Sequence, residues 1–483
     1  MRQAWRVADV RAAEKALMAT LPAGTLMQRA AAGLARRCAL LLSESGGVYG
    51  ATVVLLVGSG DNGGDTLYAG ATLASRGAGV RAILLRPDRV HLAGLAAFRR
   101  AGGVTVGDLP DRVDLVVDGI VGIGASGGLR EPAAALVRRL PGLRGRGGAR
   151  PPVVAVDVPS GVAVDTGDVP GDAVHADITV TFGCLKPAHV VGAAAVLAQP
   201  RRADRHRAER DAARRPGGAG ARRRRHRLLV APGRRRARTS TAAASSASPP
   251  ARRPTRVRPC SRSRARWLSP TGMVRYAGSA DRDVVHRHPS VVVAPRVADA
   301  GRVQAWVCGS GLGTDDGART ELRSVLATSL PVLLDADALT LLVGGQHATD
   351  LRRDAPLVIT PHDGEFARLA GERPGADRVG AACRLAAWIN AVVLLKGDRT
   401  IVATPSGEAW ANPTGSPALA TAGSGDVLAG LLGSLLAAGV PPERAAIMAA
   451  YVHGLAGRRA ERDGPVTSPD VAAALRPVLA ELL

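Results

Sequence analysis

Residues 51–66, ATVVLLVGSGDNGGDT, decide how the first half of this chain is read. The run Thr52–Val57 has strand character and stops at a glycine. Gly58-Ser59-Gly60-Asp61-Asn62-Gly63-Gly64-Asp65 follows, and a helical stretch takes over. Strand, Gly-rich loop and helix in succession form the unit of a mostly parallel sheet covered on both faces. The unit recurs outward from here. Further strand-like runs fall at Val80–Leu85, Val113–Val117, Val153–Val158 and Ile178–Phe182. Helical patterns fall at 9–42, His91–Ala101 and Glu131–Leu140. Ligands of such sheets bind beyond the carboxyl ends of the strands. The polar, Gly-rich stretches Gly58–Thr66, Asp118–Gly128 and Asp157–Gly161 stand at those ends.

The same rhythm returns in the second half, with strand candidates Ser290–Val293, Ala305–Cys308, Val332–Leu334, Leu357–Thr360, Val392–Leu395 and Thr400–Ala403. The loops after them carry the unusual residues: GSGLG at 309–313, Asp335–Asp337, TPHDGE at 360–365 and KGDRT at 396–400. The stretch Asn412–Asp426, NPTGSPALATAGSGD, runs into an apolar helix, so Gly423, Ser424 and Gly425 sit at the helix start with Asp426 in its first turn. Free N–H groups and the positive dipole end favour an anion there. The plain alternative is a helix start with an Asp cap.

Apolar residues make up 46% of the 483 and aromatics only 2%, so the cores must be built from Ala, Val and Leu. Five scattered cysteines, with no CxxC spacing, read as reduced thiols of a cytoplasmic protein. No apolar run approaches the length of a membrane span, and no secretory leader pattern opens the chain, so a soluble, non-exported protein is expected. The formal net charge of +23 is local. Residues 201–266 hold 23 arginines and no lysine against Asp204, Glu209 and Asp211, which leaves the rest nearly balanced. Rich in Arg, Ala, Pro and Ser and without apolar periodicity, the segment 199–268 cannot bury a core. It reads as disordered, or as out-of-frame translation of a GC-rich gene. A basic tether for nucleic acid is the less favoured reading.

Locally, GSGDNGGD is a weak signal: it is not GxGxxG in register, and it lacks the Lys-Ser/Thr of a P-loop. Asn, Asp and Ser oxygens at one sheet edge (Asn62, Asp118, Asp157, Ser160) suit a hard cation such as K⁺ or Mg²⁺, with strand-end turn chemistry as the alternative. Asp157, at a strand end where burial could raise its pKa, is a candidate acid/base.

GSGDNGGD, DGIVGIGASGG, DVPSGVAVDTGDV and ADITVTFGCLKPAH, in that order over about residues 5–198, resemble the NAD(P)HX epimerase domain. That family interconverts the R and S epimers of hydrated NADH or NADPH. The resemblance implies a Rossmann-like fold for 1–198. It implies that Asp61, Asn62, Gly63, Gly64, Asp65, Gly122, Ile123, Gly124, Ala125, Ser126, Gly127, Gly128 and Asp157 contact the hydrated dinucleotide. It further implies that Asn62, Asp118 and Ser160 hold K⁺. Asp61 and Thr66 depart from the commonest form of the first motif, GNNGGDG. The first adds a charge facing an anionic ligand, the second bulk at the helix start.

SPTGMVRYAG, GSGLGTD, LLDADAL, TPHDGEFARL, LLKGDRTIVATP and NPTGSPALATAGSGDVLAG, over about 269–483, resemble the ribokinase-like, ADP-dependent NAD(P)H-hydrate dehydratase. The two are often fused in this order. The implied fold is two three-layer α/β/α domains, Rossmann-like then ribokinase-like, joined by the Arg-rich segment. Gly311, His362 and Asp426 would touch the hydrate, with Asp426 as catalytic base. Lys396, Gly397, Asp398, Arg399, Thr400 and Gly425 would bind ADP, carried with Mg²⁺. Plain alternatives are a solvated loop lysine for Lys396 and a turn residue for His362. Relatives place an opening strand and Gly/Ala-rich loop before SPTGMVRYAG. Nothing in 199–267 reads as that strand, so the N-terminal part of the second domain is expected to be missing and its activity impaired. A homo-oligomer without a membrane or nucleic-acid partner is expected. The competing reading is a ribokinase-like small-molecule kinase fused to a Rossmann-like domain.

Overall fold

The structure, a computed structural model, describes residues 4–124, 127–197, 241–246, 273–343 and 353–482, with the backbone alone for 241–246. The chain divides into two compact units, Met1–Arg222 and Arg223–Leu483.

The first unit runs α1 (Val7–Met18), α2 (Thr25–Glu44), β1 (Thr52–Val57), α3 (Asp61–Ala74), β2 (Gly79–Leu84), α4 (Leu92–Arg100), β3 (Val104–Thr105), β4 (Leu115–Gly119), α5 (Ala133–Arg139), β5 (Val153–Val156), β6 (Ile178–Val180) and α6 (Ala194–Leu197). Its sheet has the order β3-β2-β1-β4-β5-β6, parallel throughout. The order reverses between β1 and β4, the crevice where such sheets take ligands. Alternate residues of β1 face opposite layers: Val53, Leu55 and Val57 pack with α2 and α3 residues, Val54 and Leu56 with Val137 and Leu140. The helical pattern at 9–42 resolves into two helices, because Pro22 and a left-handed Gly24 (φ 79°) interrupt it.

The second unit contains β7 (Thr241–Ser246), β8 (Met273–Gly278), α7 (Asp281–Arg287), β9 (Val292–Ala294), β10 (Ala305–Cys308), α8 (Asp316–Leu326), β11 (Val332–Leu334), α9 (Asp337–Leu341), β12 (Leu357–Ile359), α10 (Asp363–Ala370), α11 (Arg378–Ile389), β13 (Val392–Leu395), β14 (Ile401–Ala403), β15 (Ala409–Ala411), α12 (Ser424–Ala437), α13 (Pro442–Ala460) and α14 (Ser468–Leu482). The sheet order is β15-β14-β13-β12-β11-β10-β7-β8-β9. It is parallel from β13 to β9, with an antiparallel hairpin at the β15 end. All but one residue of α12 are buried, which is why its sequence is apolar around the whole helix. The aromatic-poor composition holds inside: the core clusters are mostly Ala, Val and Leu.

One expectation is corrected here. The Arg-rich segment was expected to supply no strand, yet Thr241–Ser246 pairs in parallel with β8 on one side and β10 on the other. Flanking strands satisfy its backbone on both edges, so the run TAAASS needs no alternating or β-branched pattern to be held. The rest of 199–268 lies outside the described residues. Sequence reading also passed over β8, inside the SPTGMVRYAG motif, and the three-residue β15.

Gly58 ends β1 so tightly against β4 that an added Cβ would lie 1.8 Å from the carbonyl oxygen of Ile120. Gly58→Ala must therefore push β1 from β4. It should destabilise the first unit by about 2–4 kcal/mol, read by calorimetry as a fall in Tm. An unchanged Tm would contradict this packing.

Candidate active sites

In the first unit the chemistry gathers at the carboxyl ends of β1, β4 and β5. Gly60, at φ 99°, starts α3 with no side-chain cap, so the first-turn N–H groups face the loop. Thr66 fits without strain: its Oγ1 donates to the Asn62 carbonyl at 2.8 Å and fills the space above Gly119. Asp118 is fully buried at the end of β4. It accepts from Ser160 Oγ at 2.6 Å, from Ser160 N–H at 2.9 Å and, more loosely, from Ile120 N–H at 3.3 Å. Burial pushes its carboxyl up to about 6 against these bonds. Ser160 Oγ also accepts from Val121 N–H at 3.1 Å.

A side chain at Gly122 would come within 3.2 Å of the Asn62 amide, whose Nδ2 is buried without a partner. Amide N and O exchange by a half-turn. With that oxygen turned inward, Asn62, Asp118 and Ser160 offer oxygen donors only, a chemistry that fits K⁺. Ala125 and Ser126 lie outside the described residues, while Gly122, Ile123, Gly124, Gly127 and Gly128 form the described part of their loop.

Asp157 follows β5 with a left-handed backbone (φ 66°), uncommon for a residue with a Cβ. The conformation is fixed from several sides. Its N–H donates to Val180 O at 2.8 Å, and His189 Nε2 donates to its carbonyl at 2.8 Å. The His189 tautomer follows, because Nδ1 accepts from Lys186 N–H at 2.9 Å. Burial holds His189 below the usual imidazole range, so it stays neutral. The Asp157 carboxylate takes Lys186 Nζ at 2.5 Å and Thr181 Oγ1 at 3.0 Å. Lys186 is 1% exposed and also donates to Phe182 O at 3.0 Å. Asp65 stands nearby, buried, with its Oδ1 unpartnered. Burial, reinforced by Asp61, Asp157 and Glu14, pushes its carboxyl up to about 8.

In the second unit, Gly423 (φ 83°) starts α12 without a side-chain cap, and Asp426 is buried in the first turn. Its Oδ1 accepts from Ser310 Oγ in the GSGLG loop. His453, buried and pushed down to about 4 by its surroundings, hydrogen-bonds the Ser424 carbonyl at 3.0 Å through Nε2. Lys396 is no solvated loop residue. Its Nζ donates to Asp335 Oδ1 at 2.8 Å and lies 3.4 Å from Glu365 Oε2, both carboxylates being buried. Burial works against its charge, but the two carboxylates outweigh it and hold its pKa above the usual lysine value. A Cβ on Gly425 would be 3.6 Å from this ammonium, so Lys396 stands at the open end of α12.

His362 caps α10: Nδ1 accepts from Gly364 N–H at 2.9 Å, and His362 N–H donates to Glu365 Oε2 at 2.8 Å. The ring is more than half exposed, with Nε2 facing outward 3.5 Å from Glu365 Oε1. Arg378 ties Gly397's loop down by donating to Lys396 O at 3.0 Å and to both oxygens of Asp363 at 2.8 Å. Thr400 Oγ1 donates to Gly397 O at 3.1 Å, and Asp398 accepts from Arg399 N–H at 2.7 Å. Gly311 is left-handed (φ 71°) with open space where a Cβ would point.

Sequence reading missed the roles of Lys186, His189, Ser310, Asp335, Glu365 and Arg378, although each lies in or near a quoted motif. Their partners are 15 to 116 residues away in the chain, and no local spacing encodes such pairs.

Comparison with known proteins follows these lines. A family profile described as YjeF-related protein N-terminus matches residues 23–188, and one described as NAD(P)H-hydrate dehydratase matches 264–476. The bifunctional NAD(P)H-hydrate repair enzyme of Mycobacterium leprae is 45% identical over 471 residues, covering 97% of this chain and 96% of its own. Its Mycobacterium tuberculosis counterpart is 44% identical over 92% of this chain and 91% of its own, and that of Gloeobacter violaceus 35% identical over 93% and 92%. Among solved structures, the ADP/ATP-dependent NAD(P)H-hydrate dehydratase from Bacillus subtilis aligns with 52% of this chain and 94% of its own, at 25% identity and a TM-score of 0.46.

The raised Asp65 pKa gives a signed expectation. Between an unfolded value near 3.8 and a folded value of about 8, the native state holds a proton that the unfolded state has lost. Stability from this group is therefore complete below about pH 4 and falls as pH rises toward 8. Asp65→Asn should flatten the decline of the first unit's Tm over that range. An equally steep decline in the variant would contradict the assignment.

Proposed function

The chain belongs to the family of bifunctional NAD(P)H-hydrate repair enzymes, and on that premise we propose how its two halves divide the reaction. It is an enzyme of nicotinamide cofactor repair with an epimerase half and a dehydratase half. The observation that carries the division is the pairing of each half with a helix start beside buried acid–base groups: α3 with Asp157 and Lys186, α12 with Asp426 and Lys396.

In the first unit the hydrated dinucleotide binds over Asp61–Asp65 and the Gly122–Gly128 loop. Epimerisation requires reversible loss of the ring hydroxyl, or ring opening, with proton transfer. Asp157 is the acid/base, and Lys186, in contact with its carboxylate, orients it. Asn62, Asp118 and Ser160 would hold K⁺, whose contribution is to fix loop geometry and balance nearby carboxylates.

In the second unit the S hydrate is activated before it loses its oxygen, because hydroxide leaves poorly. Asp426, oriented by Ser310, takes the hydroxyl proton as that oxygen attacks the terminal phosphorus of ADP. The oxygen–phosphorus bond forms, AMP leaves, and elimination then expels phosphate to give NADH or NADPH. The amides of Gly423–Gly425 and the Lys396 ammonium meet the charge on the transferring group. The loop Lys396–Thr400 holds the nucleotide, while Gly311 and His362 flank the hydrate. Among the described residues no group of three acidic, His or Cys side chains could hold a metal ion. Asp335 and Glu365 already pair with Lys396. Mg²⁺ would therefore arrive on the nucleotide's own phosphate oxygens.

No helix among the described residues is long and apolar enough to cross a membrane. A cytoplasmic homo-oligomer is the proposed working form. Neither family profile reaches residues 189–263, which supports reading 199–263, apart from the strand Thr241–Ser246, as out-of-frame translation rather than a basic tether. Resequencing the gene there should reveal compensating frame errors. An error-free frame would refute that reading.

Asp426→Ala should cut dehydration by about 100-fold or more and leave epimerisation intact. Asp157→Asn should do the reverse, losing R-to-S conversion by a similar factor while S hydrate is still dehydrated. Either variant losing both activities, or neither, would overturn the division of labour.

A further inference from the structure

The helix α1 precedes the family match, which begins at residue 23, and it carries no residue assigned above. Val10 is its one buried residue, and Val7 packs against the cluster of Val158, Val162 and Val164, so the helix is held mainly by its N-terminal turn. Backbone contacts beside the site hold it as well. Trp5 N–H donates to Leu185 O at 2.8 Å, Ala4 bridges Leu185, and Val7 N–H donates to Asp165 Oδ1 at 2.8 Å. Leu185 is the chain neighbour of Lys186, so the strap fixing α1 is the stretch of chain that carries the lysine holding Asp157.

Two residues of α1, three apart and so on one face, point to opposite parts of the site. Glu14 is half-buried within the fields of Lys186, Asp157 and Asp61. Arg11 lies against the Gly-rich loop after β4: one terminal nitrogen is 3.1 Å from where a Cβ on Gly124 would stand. Arg11 is exposed; its charge acts on Glu14 one turn away, and among the described residues its guanidinium makes no ion-pair contact. The charge balance gives it a task. Glu14, Asp61 and Asp157 surround this edge, with Asp65 held protonated among them, and the Lys186 ammonium is already committed to Asp157, Thr181 and the Phe182 carbonyl. An anionic dinucleotide entering over Gly122–Gly124 meets Arg11 as the cation with its donors still available. A guanidinium pairs with phosphate oxygens in a planar, two-pronged fashion.

We propose that Arg11 binds phosphate oxygens of the hydrated dinucleotide over the Gly122–Gly124 loop, making α1 a wall of the epimerase site. This rests on the epimerase reading of the first unit.

The test is epimerisation by the full chain, with hydrated NADH and hydrated NADPH, of wild type, Arg11→Ala and Arg11→Lys. Arg11→Ala should raise KM about tenfold with kcat within about twofold, and Arg11→Lys should recover part of the loss. Dehydration of S hydrate and the Tm should not move. A rise for both substrates assigns the contact to the pyrophosphate, a rise for hydrated NADPH alone to its additional phosphate. An unchanged KM for both in an otherwise active enzyme overturns the role of Arg11 and leaves the epimerase reading standing. A wild-type chain without epimerisation overturns both.

Discussion

The amides of a helix's first turn have no partner inside the helix, and both halves of this chain leave such a helix start uncapped at the carboxyl edge of a parallel sheet. Everything else at the two sites answers that constraint. Gly60 and Gly423 take left-handed or otherwise positive-φ backbones that turn the chain from loop into helix without a capping side chain. The amides are thereby left to a ligand. Gly58 lets the loop before α3 lie directly on the end of β4. In the second unit, Asn412 and Thr414 bind carbonyls of α13 through Ala450 and Tyr451, which fixes the approach to α12.

The two helix starts differ in the charges set around them. At α3 the surroundings are acidic, and the single buried ammonium is locked to Asp157. That suits moving protons on a substrate whose own phosphates bring more negative charge than the site can neutralise without help. At α12 the ammonium of Lys396 is held by two buried carboxylates, which keep it charged, and it is aimed at Gly425. A fixed positive charge beside open amides is what a transferring phosphoryl group requires. On the proposed division of labour, one helix geometry serves proton transfer in one unit and phosphoryl transfer in the other.

Much of the fold was legible in the sequence because parallel strands buried on both faces are continuous apolar runs. Thr52–Val57, Ala305–Cys308, Val332–Leu334 and Val392–Leu395 were read with their observed bounds. Thr241–Ser246 was not, since it is held by its neighbours' backbones and has no pattern of its own. At the sites, the glycines and the Asp ending each strand were visible as local motifs. Lys186 beneath Asp157 and Ser310 beside Asp426 were not, because those contacts are made by topology across 29 and 116 residues. Burial changes the state of two residues read from the motifs. Asp65 was read as a dinucleotide contact and Lys396 as a nucleotide-binding residue, with a solvated loop lysine as the plain alternative; the sequence carried no sign of the burial that protonates one and pairs the other.

The central claim, that one chain holds both working sites, is tested most directly by giving the full-length protein an equilibrated mixture of R and S hydrated NADH with ADP and following each species by chromatography. The account predicts that both epimers disappear completely and that NADH, AMP and phosphate appear in equal amounts. Loss of the S epimer at the enzyme-catalysed rate, while the R epimer decays only as it does without protein, would contradict the first site. No loss of either would contradict the second.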